Sequence, residues 1–146
     1  MKLFIRELKE EDFPEVLEIS KQSFSIPWSL QSFVSEMLNT QSIIKVAEFD
    51  GKIAGYIVLR KILDEAELLS IAVKPELRRK GIATYLMKSV LDEIKGCVKS
   101  CFLEVRVSNK EAISFYEKMK FKKVGIRKKY YMLPEEDAII MKLDLS

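Results

Sequence analysis

A chain of 146 residues that is 48% hydrophobic has room for one packed domain and none for a second, so a single domain over residues 1–146 is expected. Its 25 basic and 22 acidic side chains are mixed along the sequence and leave a net charge of +3, which argues against a dedicated nucleic-acid or membrane surface. With no histidine, and only Cys97 and Cys101 as thiols, the chain can build neither a usual zinc site nor a His-dependent triad, so any catalytic base must be a carboxylate, Tyr, Lys, Cys or water.

Lys2, Arg6, Glu7 and Lys9 break the early apolar run that a signal peptide needs, and no apolar stretch approaches about 20 residues, so a soluble cytoplasmic protein with plain thiols is expected. Phe4 and Ile5 lead into a first helix, where Asp12 and Glu15 read as a capping box and Pro14 sits in the first turn. The segment Ile26, Pro27, Trp28 interrupts it. Ser29 then caps a second helix with an apolar face of Leu30, Phe33, Val34, Met37 and Leu38. Residues 43–49 and 53–63 are strand-like, and Asp50 with Gly51 between them signals an antiparallel hairpin. Residues 66–73 form the next strand.

Residues 68–83, LLSIAVKPELRRKGIA, organise the rest: an apolar strand, a basic loop, and small residues where the helical pattern of residues 84–94 begins. The first N–H groups of a helix lack intrahelical partners and the macrodipole is positive there, so Gly81 and Ala83 let a phosphate approach bare backbone, with Arg78, Arg79 and Lys80 adding charge. The stretch has neither the GxGxxG of dinucleotide folds nor the GKS or GKT ending of a nucleoside-triphosphate loop.

The helix stops near Gly96, and residues 101–107, CFLEVRV, are a strand. Alternation places Leu103, Val105 and Val107 on one face and Phe102, Glu104 and Arg106 on the other. A solvent-facing Glu104 paired with a neighbouring strand's cation is the plain reading; a catalytic base is the functional one. Asn109 caps a helix over residues 110–120, in which Ala112, Ile113, Tyr116 and Met119 fall together, so Tyr116 is either a core-edge aromatic or a functional one. Residues 122–127 and 137–143 close the chain as a strand pair. Strands that meander, alternate with helices and then pair imply an α/β (α+β) fold, a mixed central sheet with helices on both faces.

RRKGIA resembles the Arg/Gln-x-x-Gly-x-Gly/Ala acetyl-CoA signature of the GNAT N-acetyltransferases, whose acyl-CoA N-acyltransferase fold has this element order. Within that superfamily the chain resembles the RimI family of ribosomal-protein alanine N-acetyltransferases through IPWS, LDEAELLSIAV, RRKGIA, LEVRVSN, AISFYE, RKKYY and EDAIIM, which occur in the family's order over nearly the whole chain. Archaeal and eukaryotic N-terminal acetyltransferase subunits are similar through fewer of these segments.

The resemblance implies Glu104 as general base, Tyr116 as general acid, and acetyl-CoA as donor with no metal. It implies acetyl-CoA contacts from Ile71, Ala72 and Val73 on the strand, from Arg78, Arg79, Lys80, Gly81, Ile82, Ala83 and Thr84 around the pyrophosphate, and from Asn109 and Tyr116. Trp28 with the Tyr130 and Tyr131 loop would frame a slot for a protein N-terminus, that of a ribosomal protein in this family. MLPEEDA after Tyr131 is shorter than the family's segment and lacks the proline often found directly after the tyrosines, which bears on acceptor choice. A broader-specificity N-terminal acetyltransferase, acetylation of a lysine or small amine, and a non-catalytic acyl-CoA-binding subunit are the alternatives.

Overall fold

A computed structural model describes residues 2–146. In chain order the elements are β1 (Leu3–Glu7), α1 (Phe13–Ser23), α2 (Leu30–Leu38), β2 (Ser42–Phe49), β3 (Lys52–Ile62), β4 (Glu65–Val73), α3 (Ile82–Ile94), β5 (Ser100–Arg106), α4 (Lys110–Lys118), β6 (Lys122–Tyr131) and β7 (Glu136–Asp144). The strands form one mixed seven-stranded sheet in the order β1-β2-β3-β4-β5-β7-β6. Only β4 and β5 run parallel among the pairings described, with Glu65, Ala66 and Glu67 opposite Ser100, Cys101 and Phe102. Two compact units divide the chain: residues up to Arg60 together with Leu69–Ile94, and Lys61–Leu68 together with Lys95–Ser146.

In the first unit Asp50 and Gly51 take φ of 51° and 83°, so the hairpin turn read from that dipeptide joins β2 to β3. Ile44 and Val46 of β2 pack with Val16 and Ile19 of α1 and Phe33 of α2. Lys45, one residue out of phase, pairs at 2.9 Å with Glu93 of α3. Alternation along β2 therefore puts α1 and α2 on one face and α3 on the other. Burying side chains the size of Phe33 and Ile19 contributes about 1.5–3 kcal/mol each.

Two helix readings are corrected. Asp12 and Glu15 form no capping box: the Asp12 carboxylate accepts two hydrogen bonds from the Arg6 guanidinium, at 2.8 and 2.9 Å, and one from Lys9 N–H, while Glu15 accepts from Ile53 N–H. A cation on the neighbouring strand outbids the local N–H groups for that carboxylate. In α2, Ser29 caps as read, accepting from Ser32 N–H. Its buried residues, however, are Phe33 and Glu36, and Leu30, Met37 and Leu38 are exposed. Glu36 goes inward because Ser42 and the Arg60 guanidinium both donate to it.

In the second unit Cys101, Leu103 and Val105 are buried and Phe102, Glu104 and Arg106 half-buried, as the alternation predicts. The last strand pair is longer than read. Tyr130 and Tyr131 belong to β6 and not to a loop, because β6 bulges between Arg127 and Tyr131, with Lys129 at φ 53° and its N–H on the Asp137 carboxylate, and resumes pairing at Tyr131 opposite Glu136. Among the described residues no helix is long and apolar enough to cross a membrane.

Candidate active site

The first unit carries the phosphate-loop residues. Gly55 of β3 lies so close to β4 that a Cβ there would sit 2.8 Å from the Ala72 carbonyl oxygen, and Lys74 N–H donates to the Ala54 carbonyl at 2.7 Å. That contact fixes the end of the strand holding Ile71, Ala72 and Val73. The chain then makes one 3-10 turn at Pro75–Leu77. Arg78 turns back on the strand: its guanidinium donates to the Val73 carbonyl at 3.1 Å and to Ser23 Oγ at 3.2 Å. Arg79 and Gly81 both have positive φ, 64° and 82°, and Arg79, Lys80 and Gly81 are exposed.

Helix α3 begins at Ile82, two residues before the expected start, because buried Ile82 anchors its first turn and Gly81 O accepts from Tyr85 N–H. The N–H groups of Ile82, Ala83 and Thr84 therefore stand at the helix start without intrahelical acceptors. A Cβ at Gly81 would meet only a Tyr85 ring carbon, 3.9 Å away, so conformation and not packing requires glycine there. Exposed cations, a left-handed turn and free N–H groups fit a pyrophosphate.

Trp28 also belongs to this unit. Its backbone N–H donates to Ser20 Oγ at 2.9 Å and its ring lies 5.1 Å from Phe33, so the indole is half-buried against the core. It shares a shallow cavity with Ser29, Gln31, Ser32, Ser35 and Glu36.

Glu104, Tyr116, Asn109, Tyr130 and Tyr131 belong to the second unit. Glu104 lies opposite Ile140 of β7, which lies opposite Gly125 of β6, so the three strands present one continuous face. On it is a pocket lined by Ile62, Glu67, Phe102, Glu104, Arg127 and Ile140, among others. Glu104 Oε2 accepts from Arg127 Nη1 at 2.7 Å, and the Glu104 side chain keeps 21% exposure, so water reaches it. Arg127 also stacks over the Tyr130 ring, 4.5 Å from its centroid, and bonding to Glu104 raises its pKa further.

Tyr130 and Tyr131 pack edge to face at 5.0 Å. Arg106 holds the segment after them: it lies 4.6 Å over the Tyr131 ring and donates to the carbonyls of Met132 and Pro134 and to Glu136. Glu136 accepts from Ser108 N–H as well, and hydrogen bonding by Ser108, its side chain first, together with Arg106 keeps the carboxyl below the usual carboxylate range. Burial, reinforced by Glu104, pushes Tyr131 up to about 12.

Tyr116 lies on α4, whose start is fixed by Asn109 Oδ1 accepting from Ala112 N–H at 3.1 Å. The ring is 8% exposed, 5.4 Å from Phe115 and 5.9 Å from Phe121. Burial first, then the neighbouring Tyr131, drives its pKa well above 10, so the phenol stays protonated through the physiological range. A protonated phenol can donate a proton to a departing anion, and a water-accessible carboxylate can accept one.

The structure thus gathers Glu104, Tyr130 and Tyr131 with Arg106 and Arg127 in one unit, and the phosphate-loop residues with Trp28 in the other. Sequence reasoning missed Arg127 and Glu67 as neighbours of Glu104, and Arg106 as the holder of the β6–β7 connection. Arg106 could have been found: it follows Glu104 by two residues on the same strand face. Among the described residues no cluster of three or more His, Cys, Asp or Glu could hold a metal.

The family model described as Acetyltransferase (GNAT) family matches residues 3–121. The [ribosomal protein bS18]-alanine N-acetyltransferase of Escherichia coli (strain K12) is 36% identical over 145 residues, covering 97% of this chain and 97% of that protein. The crystal structure of the ribosomal-protein-S18-alanine N-acetyltransferase from Escherichia coli superposes with a TM-score of 0.91 at 34% identity, covering 99% and 95% of the two chains. Arabidopsis thaliana NAA60 in complex with acetyl-CoA shares the fold at a TM-score of 0.89 and 18% identity, over 99% of each chain.

Proposed function

The chain belongs to the acetyltransferase (GNAT) family, and on that premise we propose that residues 1–146 act as one domain carrying an acetyl group from acetyl-CoA to the N-terminal alanine of a small-subunit ribosomal protein in the cytoplasm. The acceptor is taken from the name of the Escherichia coli relative, and the donor from the family and from the fit of the residue 78–84 loop to a pyrophosphate.

In the first unit the N–H groups of Ile82, Ala83 and Thr84, with Arg79 and Lys80, hold the pyrophosphate; Arg78 braces the loop; Ile71, Ala72 and Val73 offer backbone to the pantetheine and acetyl groups, and Val73 N–H to the oxyanion. In the second unit Glu104, through water, takes a proton from the acceptor α-ammonium, whose pKa of about 7.7–8.0 leaves much of it protonated near neutrality. Tyr116 returns a proton to the CoA thiolate, and Asn109 contacts the donor while capping α4. Trp28 and the paired tyrosines line the acceptor's path. Attack is direct: the amine nitrogen bonds to the acetyl carbon as the carbonyl electron pair moves onto oxygen, and collapse of that oxyanion breaks the carbon–sulfur bond, the nitrogen's remaining extra proton passing to water.

The observation that carries this reading is a water-accessible carboxylate and a buried, protonated phenol in one unit, one suited to accept a proton and the other to donate it. Incubation with acetyl-CoA and peptides differing in their first residue tests it. Acetylation of the α-amine with alanine first is expected; transfer only to lysine side chains or small amines would replace the acceptor, and no transfer would leave an acyl-CoA-binding protein.

A further inference from the structure

The pocket around Glu104 holds more negative charge than a lone base needs. Glu65 and Glu67 alternate onto the same face of β4, and the parallel register sets Glu67 opposite Phe102, two residues before Glu104 on the same face of β5. All three carboxylates line the pocket, whose walls are otherwise largely apolar: Ile62, Phe102 and Ile140. One cation faces them there, Arg127, and its 2.7 Å hydrogen bond goes to Glu104. Glu67 is half-buried, and among the described residues its carboxylate makes no hydrogen bond or close ion pair, Arg127 reaching it only by longer-range attraction. The Glu67 oxygens keep contact with water, so the carboxylate is open to an incoming cation.

We propose that Glu67 is a positioning and specificity residue for the acceptor: its carboxylate holds the incoming α-ammonium in the pocket, so that Glu104 meets a cationic amine already in place. The proposal rests on the reading of Glu104 as the acceptor's base. An ion pair with Glu67 stabilises the protonated amine, so its contribution is to capture the cationic acceptor, and the contact weakens when Glu104 takes the proton. Glu67 retains the cation, and Glu104, with Arg127 beside it, exchanges its guanidinium partner for the proton. An uncharged N-acetylated product then loses its hold at Glu67, which favours release.

The test uses the full chain, acetyl-CoA, and an alanine-first peptide without lysine, arginine or acidic side chains, so that its α-ammonium is the only cation. Glu67→Gln keeps the shape and removes the charge. The acceptor KM should rise about tenfold, as for a lost charge-assisted contact, with kcat within about twofold and the acetyl-CoA KM unchanged as the measure of an intact fold. The N-acetylated peptide, as a competitive inhibitor against acceptor, should bind wild type and Glu67→Gln equally, and Glu67→Asp should recover part of the KM. An unchanged acceptor KM would overturn the proposal, as would equal losses for acceptor and acetylated peptide, since a structural role weakens both. Wild type that acetylates no α-amine would instead remove the functional reading itself, and this one with it.

Discussion

Arg127 on β6 reaches across β7 to donate a 2.7 Å hydrogen bond to the Glu104 carboxylate on β5, while its guanidinium carbon lies 4.5 Å over the Tyr130 ring centroid. The two strands are not neighbours, and the bond spans the strand between them. Glu104 thus has the cation partner of an ordinary strand-surface glutamate and the water access of a base.

Arg127→Gln separates the two uses of that guanidinium. The Arg127 side chain is 54% exposed, so stability should hardly change. With the competing cation gone, the acceptor ammonium should bind better and its KM fall about threefold, with the salt dependence of KM steepened. A rise in acceptor KM would show that Arg127 serves mainly to place Tyr130.

Glu104→Gln should lower kcat by about 10²-fold or more while the acetyl-CoA KM stays put. The loss should be greatest near neutrality and shrink as rising pH supplies free amine unaided. Single-turnover rates that match wild type at pH 7 would remove Glu104 from proton transfer.

Tyr116→Phe keeps the ring between Phe115 and Phe121 and deletes only the hydroxyl. The melting temperature should move little and kcat should fall about 10- to 10²-fold. Because burial holds the phenol well above 10, wild type should show no alkaline loss of activity from this group below pH 10, and an ionisation there that Tyr116→Phe abolishes would contradict the assignment.

Gly81→Ala places a side chain at φ 82° with open space around it, so the penalty is conformational, about 1–2 kcal/mol. Thermal melts should drop by a few degrees, and calorimetry should find CoA binding weakened as the loop relaxes away from the helix start. Unchanged CoA affinity in a destabilised variant would free the loop from its phosphate role.

Asp12 ties stability to pH. Hydrogen bonds from Arg6, above all, hold its carboxyl below the usual 3.8, so the folded chain binds that proton less readily than the unfolded chain. The stabilisation is present above 3.8 and is lost as pH falls through the lowered folded value. Urea melts of Asp12→Asn should show a deficit of about 1–3 kcal/mol at pH 7 that closes toward pH 2; a constant deficit would assign the loss to packing.

Features governed by a few neighbouring residues were legible in the sequence alone. The Asp50-Gly51 turn, the Ser29 and Asn109 caps, the alternation along β5 and the strand, basic loop and helix start around Gly81 depend on backbone geometry within about four residues, and each is present. The family motifs were equally readable, because they are local strings. Whatever depended on strand order was decided by the tertiary structure. Asp12 was lost to its own helix because β1 brings Arg6 beside it, and Glu36 turned inward because Ser42 and Arg60 wait there. Tyr130 and Tyr131 became strand because β7 supplies the partner that their segment lacks by itself. Arg127 and Glu67 came to share a pocket with Glu104 for the same reason: charges attract through space, and only the order β4-β5-β7-β6 sets two residues, 23 positions after Glu104 and 37 before it, within reach of one face.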